Sequence, residues 1–257
     1  PFNAEGIMAS LGTFLQQEID CFNRLLRVTH RSLSDLIRAI RGEAVMSATI
    51  EAMFSSFIFN QVPKNWKKDG YLCLKPLASY NNDLVTRVEA MQSWVVNGPP
   101  KSFWVPGFFF AQGFFTCVFQ THSRREKIPI DTVKFHFHAV STAHDQITEK
   151  PESGIYMHGF QLEGAGWSDE RMCFQESKPG VLYTPLPVIH VEPVLMSLPT
   201  PAGLYQCPLY KASTRAGELS TTGLSTNFLL QMGLSAGDHS SDHWIRRGVA
   251  ALCMLDD

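Results

Sequence analysis

Apolar residues in the first part of the chain recur at the spacing of amphipathic helices. Between residues 7 and 40 they fall on one side of a helical wheel. The opposite side carries five arginines, Arg24, Arg27, Arg31, Arg38 and Arg41. The pattern predicts one long helix, or two helices stacked in register, whose apolar face must pack against a large partner. Such a row of arginines is typical of a solvated face, and the alternative interpretation is a docking edge for an acidic neighbour.

Three further helices are predicted before residue 128. The second is expected to bury Ile50, Met53, Phe54 and Phe57. The third is expected to cover about residues 81–96, and the fourth about residues 106–124. Because the fourth is apolar on most sides, we expect it to lie at the centre of the fold.

Residues 93–112 are predicted to form the hinge of the core. A helix ends there at Asn97 and Gly98, since glycine readily takes the left-handed conformation that follows a helix, and Pro99 prevents its continuation. Residues 103–119 contain seven of the 18 phenylalanines and no charged residue. Base stacking normally comes with interleaved basic residues. The run is therefore interpreted as buried core rather than as a nucleic-acid or ligand surface.

After residue 128 the hydrophobic period changes from 3.6 to 2. Val133, Phe135 and Phe137 alternate with polar residues, as in a half-buried strand. Five further strands are predicted at 155–162, 188–192, 204–209, 227–232 and 244–255. Short strands without intervening helices favour a barrel or a sandwich. We predict an α+β fold, with an α-helical subdomain at 1–127 and an antiparallel six-stranded β-barrel subdomain at 128–257.

Composition narrows the classes of partner. The formal net charge of -2 argues against a nucleic-acid-binding surface, and no apolar run reaches the length that a membrane span needs. We therefore expect neither nucleic acid nor membrane as a partner. The six cysteines include no CxxC pair, which argues against a structural zinc site of the usual spacing and favours reduced thiols. The chain begins at Pro1 rather than Met, so we expect it to be part of a longer polypeptide.

Nucleotide-binding motifs are missing from the sequence. None of the 18 glycines is followed by lysine, as a phosphate-binding P-loop requires, and no GxGxxG occurs. We therefore predict no catalytic residue, no cofactor and no metal site in this chain, and no ATP hydrolysis through a Walker motif.

Residues 233–237, with the sequence GLSAG, match the nucleophile elbow of serine hydrolases. The acids and histidines that could complete a triad with Ser235 are crowded into the next few positions: Asp238, His239, Asp242 and His243. A hydrolase sheet has no room after this loop, because about 20 residues remain. A hairpin loop is therefore the preferred interpretation.

A second weak motif is the pair His136 and His138, which one strand presents on the same face. Two imidazoles are too few for a metal site, and a third ligand would have to come from elsewhere. The candidates are His122, His144, His158 and Asp145. Ordinary surface histidines are the preferred interpretation. Together, the two weak motifs support the alternative hypothesis of a free-standing β-barrel hydrolase or ligand-binding module with a helical cap.

The segment SWVVNGPPKSFWVPGFFFAQGFFT, here called the signature segment (residues 93–116), resembles the signature of the C-terminal domain of dynein heavy chains. The positions that carry the likeness are Trp94, Asn97, Gly98, Pro99, Phe103, Trp104, Gly107, Phe108, Gln112 and Gly113. Later stretches resemble further landmarks of that domain in order: GIYMHGFQLEGAGW, LPVIHVEP, YQCPLYK, RAGELSTTGLSTNF and HWIRRGVAALC. Two of them are more similar to axonemal than to cytoplasmic heavy chains. Ala111 departs from the pattern, which usually has proline there.

The resemblance implies a non-catalytic domain, helical and then β-barrel, that packs on the AAA+ ring of the same heavy chain. ATP and Mg²⁺ would bind in upstream AAA+ modules. The parent protein would be a minus-end-directed microtubule motor that works with other dynein subunits in ciliary and flagellar beating. Its location would be the cytoplasm and cytoskeleton, in the axoneme of a cilium or flagellum. The row of arginines at positions 24, 27, 31, 38 and 41 then becomes a candidate ring-docking surface.

Overall fold

A computed structural model describes residues 10–215, 217 and 226–255. The chain forms two compact units. One, the helical unit, contains residues 15–98, and the other, the mixed unit, contains residues 10–14 and 99–255. The boundary between Gly98 and Pro99 lies inside the predicted hinge segment. The predicted division at residue 127, into a helical and a strand part of one domain, stays a prediction.

The helical unit consists of four helices, and the first of these helices begins in the mixed unit. They are α1 (Ser10–Ile40), α2 (Ala48–Ile58), α3 (Lys64–Asp69) and α4 (Leu77–Asn97). The first is one continuous helix of 31 residues, which decides between the two alternatives left open by the sequence. The third was not predicted, and Trp66 is buried within it. Among the described residues, no helix combines the length with the apolar character that a membrane span requires.

The predicted buried faces of α1 and α2 are only partly correct. Phe22 and Leu36 are buried in α1, as expected, but Ile37 and Ile40 are 47% and 58% exposed. In α2, Met53 is the one predicted core residue that the structure buries. The spacing of apolar residues identifies the apolar side of a helix, but it does not show how much of that side a neighbouring element covers. Part of this side therefore remains open in the described residues.

A buried arginine lies at the centre of the helical unit. Arg87 is 0% exposed, and its Nε donates to Asp83 Oδ2 at 2.6 Å. The guanidinium lies over the ring of Tyr71 at 3.9 Å, and that ring stacks on Tyr80 at 5.4 Å. Burial is the main cause that raises the pKa of both tyrosines, so both phenols stay neutral near pH 7. Removing Arg87 would leave the Asp83 carboxylate, which is 12% exposed, without this ion pair, which is costly.

The mixed unit contains eleven strands and two helices among the described residues. In chain order they are β1 (Ser102–Trp104), α5 (Ala111–Glu126), β2 (Val133–Val140), β3 (Ile155–His158), β4 (Gln161–Glu163), β5 (Gly166–Ser168), β6 (Cys173–Gln175), β7 (Tyr183–Pro185), β8 (Val188–Leu195), β9 (Leu204–Ala212), β10 (Phe228–Ser235), α6 (Ser241–Arg246) and β11 (Ala250–Met254). Short 3-10 turns cover Val105–Gly107 and Ile130–Thr132.

The predicted antiparallel six-stranded barrel is wrong. The described strands form three open sheets, with orders β1-β3-β8-β2, β10-β9-β11-β4-β7 and β5-β6. Two pairings are parallel, β1 with β3 and β9 with β11. The predicted strand at 155–162 divides at Gly159, whose φ is +98°, and its halves enter different sheets. The predicted strand at 244–255 begins instead in α6. Alternation identifies a half-buried strand, but it does not identify the strand's neighbours.

Helix α5 packs on the four-stranded sheet through aromatic rings. Phe119 stacks on Phe135 of β2, with ring centroids 3.7 Å apart and an interplanar angle of 12°. Phe115 meets the same ring edge-on at 6.1 Å. Residues 105–110 form a turn and loop, and the helix begins at Ala111, five residues after its predicted start. Phe114 and Val118 of this helix are buried, whereas Gln112, Thr116 and Thr121 are exposed, so the helix is buried on one side.

Candidate functional site

The signature segment begins in α4 and crosses from the helical unit into the mixed unit. Trp94 is buried in the last turns of the helix, and Asn97 Nδ2 donates to Ser93 Oγ at 3.1 Å. Gly98 follows with φ +82°, a left-handed conformation that a side chain would strain. Glycine and Pro99 therefore end the helix as the sequence predicts.

The ring of Trp104 leaves no room for a side chain at two glycine positions, and at Gly159 the φ of +98° is a second reason for glycine. A Cβ added at Gly107 would meet the Trp104 ring at 2.6 Å, and one added at Gly159 would meet the same ring at 2.6 Å. The indole therefore needs glycine at both positions. Nearby, Ser102 Oγ and His158 Nδ1 form a hydrogen bond of 2.8 Å, which links β1 to β3 beside their parallel backbone pairing.

The phenylalanines of the segment form a core cluster within the mixed unit. Phe114 is 0% exposed and lies 4.9 Å from both Phe103 and Phe108, centroid to centroid. Phe14 at the start of α1 packs edge-on against Phe108 at 5.0 Å. These contacts agree with the interpretation of the run as core, except at Phe110, which is 54% exposed.

Gln112 and Gly113 of the signature segment place α5 against β10 and the start of α1. Gln112 Nε2 donates to the backbone oxygen of Phe228 at 2.8 Å, which connects the helix with β10. A Cβ at Gly113 would lie in ordinary van der Waals contact with Phe14. Ala111 is the first residue of α5, a position where proline is also well accommodated, so the departure from the family pattern preserves the helix start.

The GLSAG motif does not assemble a serine triad in the structure. Ser235 ends β10. The Asp238 carboxylate forms a two-point ion pair with Arg171, at 2.8 and 2.7 Å, and this hydrogen-bonded cation lowers the pKa of the Asp238 carboxyl. His239 and His243 instead face Glu176, a residue that the sequence analysis did not single out. Asp238, His239 and His243 thus contact residues other than Ser235.

A carboxylate from the neighbouring strand lies beside the pair His136 and His138. His138 lies 3.5 Å from Glu192 on β8, measured from Nε2 to Oε2. Burial lowers the pKa of His136. His144 and His158 stack on each other, with ring centroids 4.2 Å apart. The interpretation as ordinary solvent-facing histidines stays a prediction, and Nε2 of His136 is buried.

The histidine pair and the GLSAG motif line the same cavity, although they are about 100 positions apart in the sequence. A cavity of about 380 Å³ is lined by His136 and His138 on one side and Ser235 on the other. Lys134 also lines it, with Nζ donating to the backbone oxygen of Leu198 at 2.6 Å. The volume is in the range of small-molecule pockets, but the lining residues include no acid to complete a catalytic triad.

All five arginines of the predicted docking row are exposed, four of them on α1 and Arg41 directly after its last residue. The nearest apolar residues on the same helix, Leu26, Ile37 and Ile40, are exposed as well, by 36%, 47% and 58%. A free surface that mixes cations with large aliphatic side chains is suited to a protein neighbour, because it offers both charge and area to bury.

Comparison with known proteins decides the family. Residues 3–253 match the family model of the C-terminal domain of dynein heavy chains. The chain belongs to this family. It is 40% identical to dynein axonemal heavy chain 6 of Homo sapiens over 98% of its length, and 44% identical to human dynein axonemal heavy chain 3 over 96%. It is also 41% identical to human dynein axonemal heavy chain 1 over all of its length. The chain spans about 6% of the length of each of these relatives.

Most of the dynein landmarks predicted from the sequence occupy regular elements of the mixed unit. The stretch that starts at Gly154 supplies β3, β4 and β5, and the stretch that starts at Tyr205 supplies most of β9. HWIRRGVAALC contains most of α6 and β11. RAGELSTTGLSTNF lies largely outside the described residues. The carboxylate of Glu176 was missed, because its histidine partners are more than 60 positions away and no local pattern connects them.

Proposed function

We propose that this dynein C-terminal domain is a non-catalytic part of an axonemal-type heavy chain and that it packs on the AAA+ ring of the same polypeptide. The parent motor would move along microtubules with other dynein subunits in the axoneme of a cilium or flagellum. Supporting this are the family match over residues 3–253 and the axonemal relatives at 40–44% identity. ATP and Mg²⁺ would be used by upstream modules, since the sequence has no Gly-Lys of a P-loop.

The open face of α1 is the observation that supports a docking role. Arg27, Arg31 and Arg38 project from it, with exposed Ile37 between them in sequence. Individual exposed ion pairs contribute roughly 0–1 kcal/mol each. Several along one helix, together with apolar area, can bias the geometry of a neighbouring ring without deciding how this domain folds.

The test reverses Arg27, Arg31 and Arg38 to glutamate. In the 257-residue protein the melting temperature should stay nearly unchanged, because these side chains are exposed. In the complete heavy chain, gliding velocity, force or the coupling of ATPase to stepping should change, while ATP hydrolysis persists.

The matched control reverses Lys150, Lys178 and Arg246, which are exposed residues of the mixed unit with the same change in charge. Motility of the control should be unchanged. A triple arginine variant that moves like the control would remove the docking role from α1. An unfolded variant would show that these arginines contribute to the fold.

A further inference from the structure

Two segments of the mixed unit are held together where Glu176, His239 and His243 converge. Glu176 follows β6, His239 lies in the turn after β10, and His243 lies in α6. His243 Nε2 is 2.9 Å from Glu176 Oε1, and His239 Nε2 is 3.4 Å from the same oxygen. One candidate ligand atom from each residue lies within 4.8 Å of the other two.

Contacts outside this cluster fix the two segments against each other. Arg171, before β6, forms its two-point ion pair with Asp238, next to His239. Gly237 approaches β6 so closely that a Cβ there would collide with the backbone oxygen of Phe174. The position of His239 relative to Glu176 therefore rests on backbone approach and a separate ion pair.

The carboxylate and the two imidazoles are also oriented individually. Arg247 Nη2 binds Glu176 Oε2 at 2.7 Å, which leaves Oε1 directed at the histidines. The two imidazole rings stack 4.0 Å apart with an interplanar angle of 12°. Trp244, 0% exposed, meets both rings edge-on, at 4.7 Å from His243 and 5.4 Å from His239.

We propose that Glu176, His239 and His243 bind a divalent transition-metal ion of the zinc class. Two imidazoles and a carboxylate are a ligand set that such ions accept, with water in the remaining position. The distances of 2.9 and 3.4 Å between Oε1 and the imidazole nitrogens bracket the separation of ligand atoms around a tetrahedral ion. Each neutral imidazole would bind through the lone pair of Nε2 with its proton on Nδ1, and the stacked rings would tilt apart as both nitrogens turn towards the ion. Arg247 would act as the positioning residue for the carboxylate.

Such an ion would join the segment after β6 to the connection between β10 and β11. Binding to the folded state alone stabilises it by mass action. The site thus offers this domain a ligand-dependent stability that does not involve nucleotide.

The experiment is a calorimetric titration of Zn²⁺ into the purified 257-residue protein. We expect saturable binding of one ion per molecule and a rise in melting temperature. Glu176→Gln and His243→Asn should each weaken Zn²⁺ affinity by at least about tenfold, the size of loss that even outer-shell changes can cause. His138→Asn is the matched control, since it removes an exposed imidazole that faces a single carboxylate, and its affinity should equal that of the wild-type protein.

Spectroscopy distinguishes metal binding at this site from metal binding by cysteine thiolates. With Co²⁺ the protein should show ligand-field bands without thiolate charge transfer, because the proposed ligands are nitrogen and oxygen. Circular dichroism checks that each variant is folded, and His239→Asn, a change in a turn, replaces any variant that is not. Absence of saturable Zn²⁺ binding, equal affinity in wild type and folded site variants, or a thiolate charge-transfer band would each overturn the proposal.

Discussion

His158, whose side chain hydrogen-bonds Ser102 of the signature segment, makes the stability of the domain depend on pH. Burial, and then the nearby His144, lower the pKa of His158 to about 4. Its Nδ1 is 2.8 Å from Ser102 Oγ. The folded state therefore favours the neutral imidazole, whereas the unfolded state takes up a proton at an ordinary histidine pKa of about 6.5.

We predict that His158 makes the domain less stable in mild acid. Between its unfolded and folded pKa values the unfolded state binds more protons, so this contribution is complete above about pH 6.5 and is lost as the pH falls towards 4. From about pH 7 to about pH 5 the loss should be roughly 2 kcal/mol. Denaturant unfolding at both pH values measures it.

His158→Gln supplies the comparison, because glutamine can hydrogen-bond but does not titrate. The variant should lose less stability than the wild-type protein over the same pH range. His138→Gln, at an exposed position, should behave like wild type. If all three proteins lost the same unfolding free energy between the two pH values, His158 would not be the cause of the acid sensitivity.

At individual positions, the sequence predicted what depends on the local backbone and missed what depends on distant contacts. Gly98 and Pro99 were predicted to end a helix, and they do. The need for glycine at Gly107 and Gly159 was not predicted, because it arises from the ring of Trp104, which lies far from Gly159 in sequence. Glu176 was missed for the same reason.

At the scale of elements, α5 and the strand β2 are joined more closely than a boundary at residue 127 suggests. Phe119 lies 3.7 Å from Phe135 in a stacked pair, and Gln112 binds the backbone of β10. Separating helix from strands would expose one side of the sheet that carries Phe135.

We predict that fragments 1–127 and 128–257, produced separately, aggregate instead of folding. The longer piece 99–257, which keeps α5, should remain more soluble than 128–257, because Phe119 and Phe115 still cover Phe135. Sedimentation and thermal unfolding of the three pieces provide the test. A soluble 128–257 with a cooperative unfolding transition would refute the core shared between α5 and the strands.

Strand predictions succeeded where alternation extends over several residues. β2, β8, β9 and β10 each have eight or nine residues, and all four were anticipated. The strands at 166–168, 173–175 and 183–185 have three residues each and were missed, since three positions cannot establish a period. The barrel was wrong because strand order and parallel pairing depend on contacts that no local pattern records.

For the whole molecule, family membership and the missing P-loop lead to the same biochemical expectation. The purified protein should not bind ATP in the presence of Mg²⁺, because no glycine precedes a lysine that could contact phosphate. Isothermal titration at micromolar protein concentration measures this directly. Saturable ATP binding would contradict the prediction and return attention to the cavity lined by Lys134 and His136.

The order of strands in the five-stranded sheet has a consequence for how the protein is made. β11 follows every other described strand in sequence, yet it lies in the middle of the sheet, between β9 and β4. Ala250, Ala251 and Leu252 are fully buried there. A polypeptide growing on the ribosome therefore carries β9 and β4 with unpaired edges until residue 254 has emerged. Such edges are sites of mispairing, so a chaperone that shields them during translation would act on this sheet before its central strand is in place.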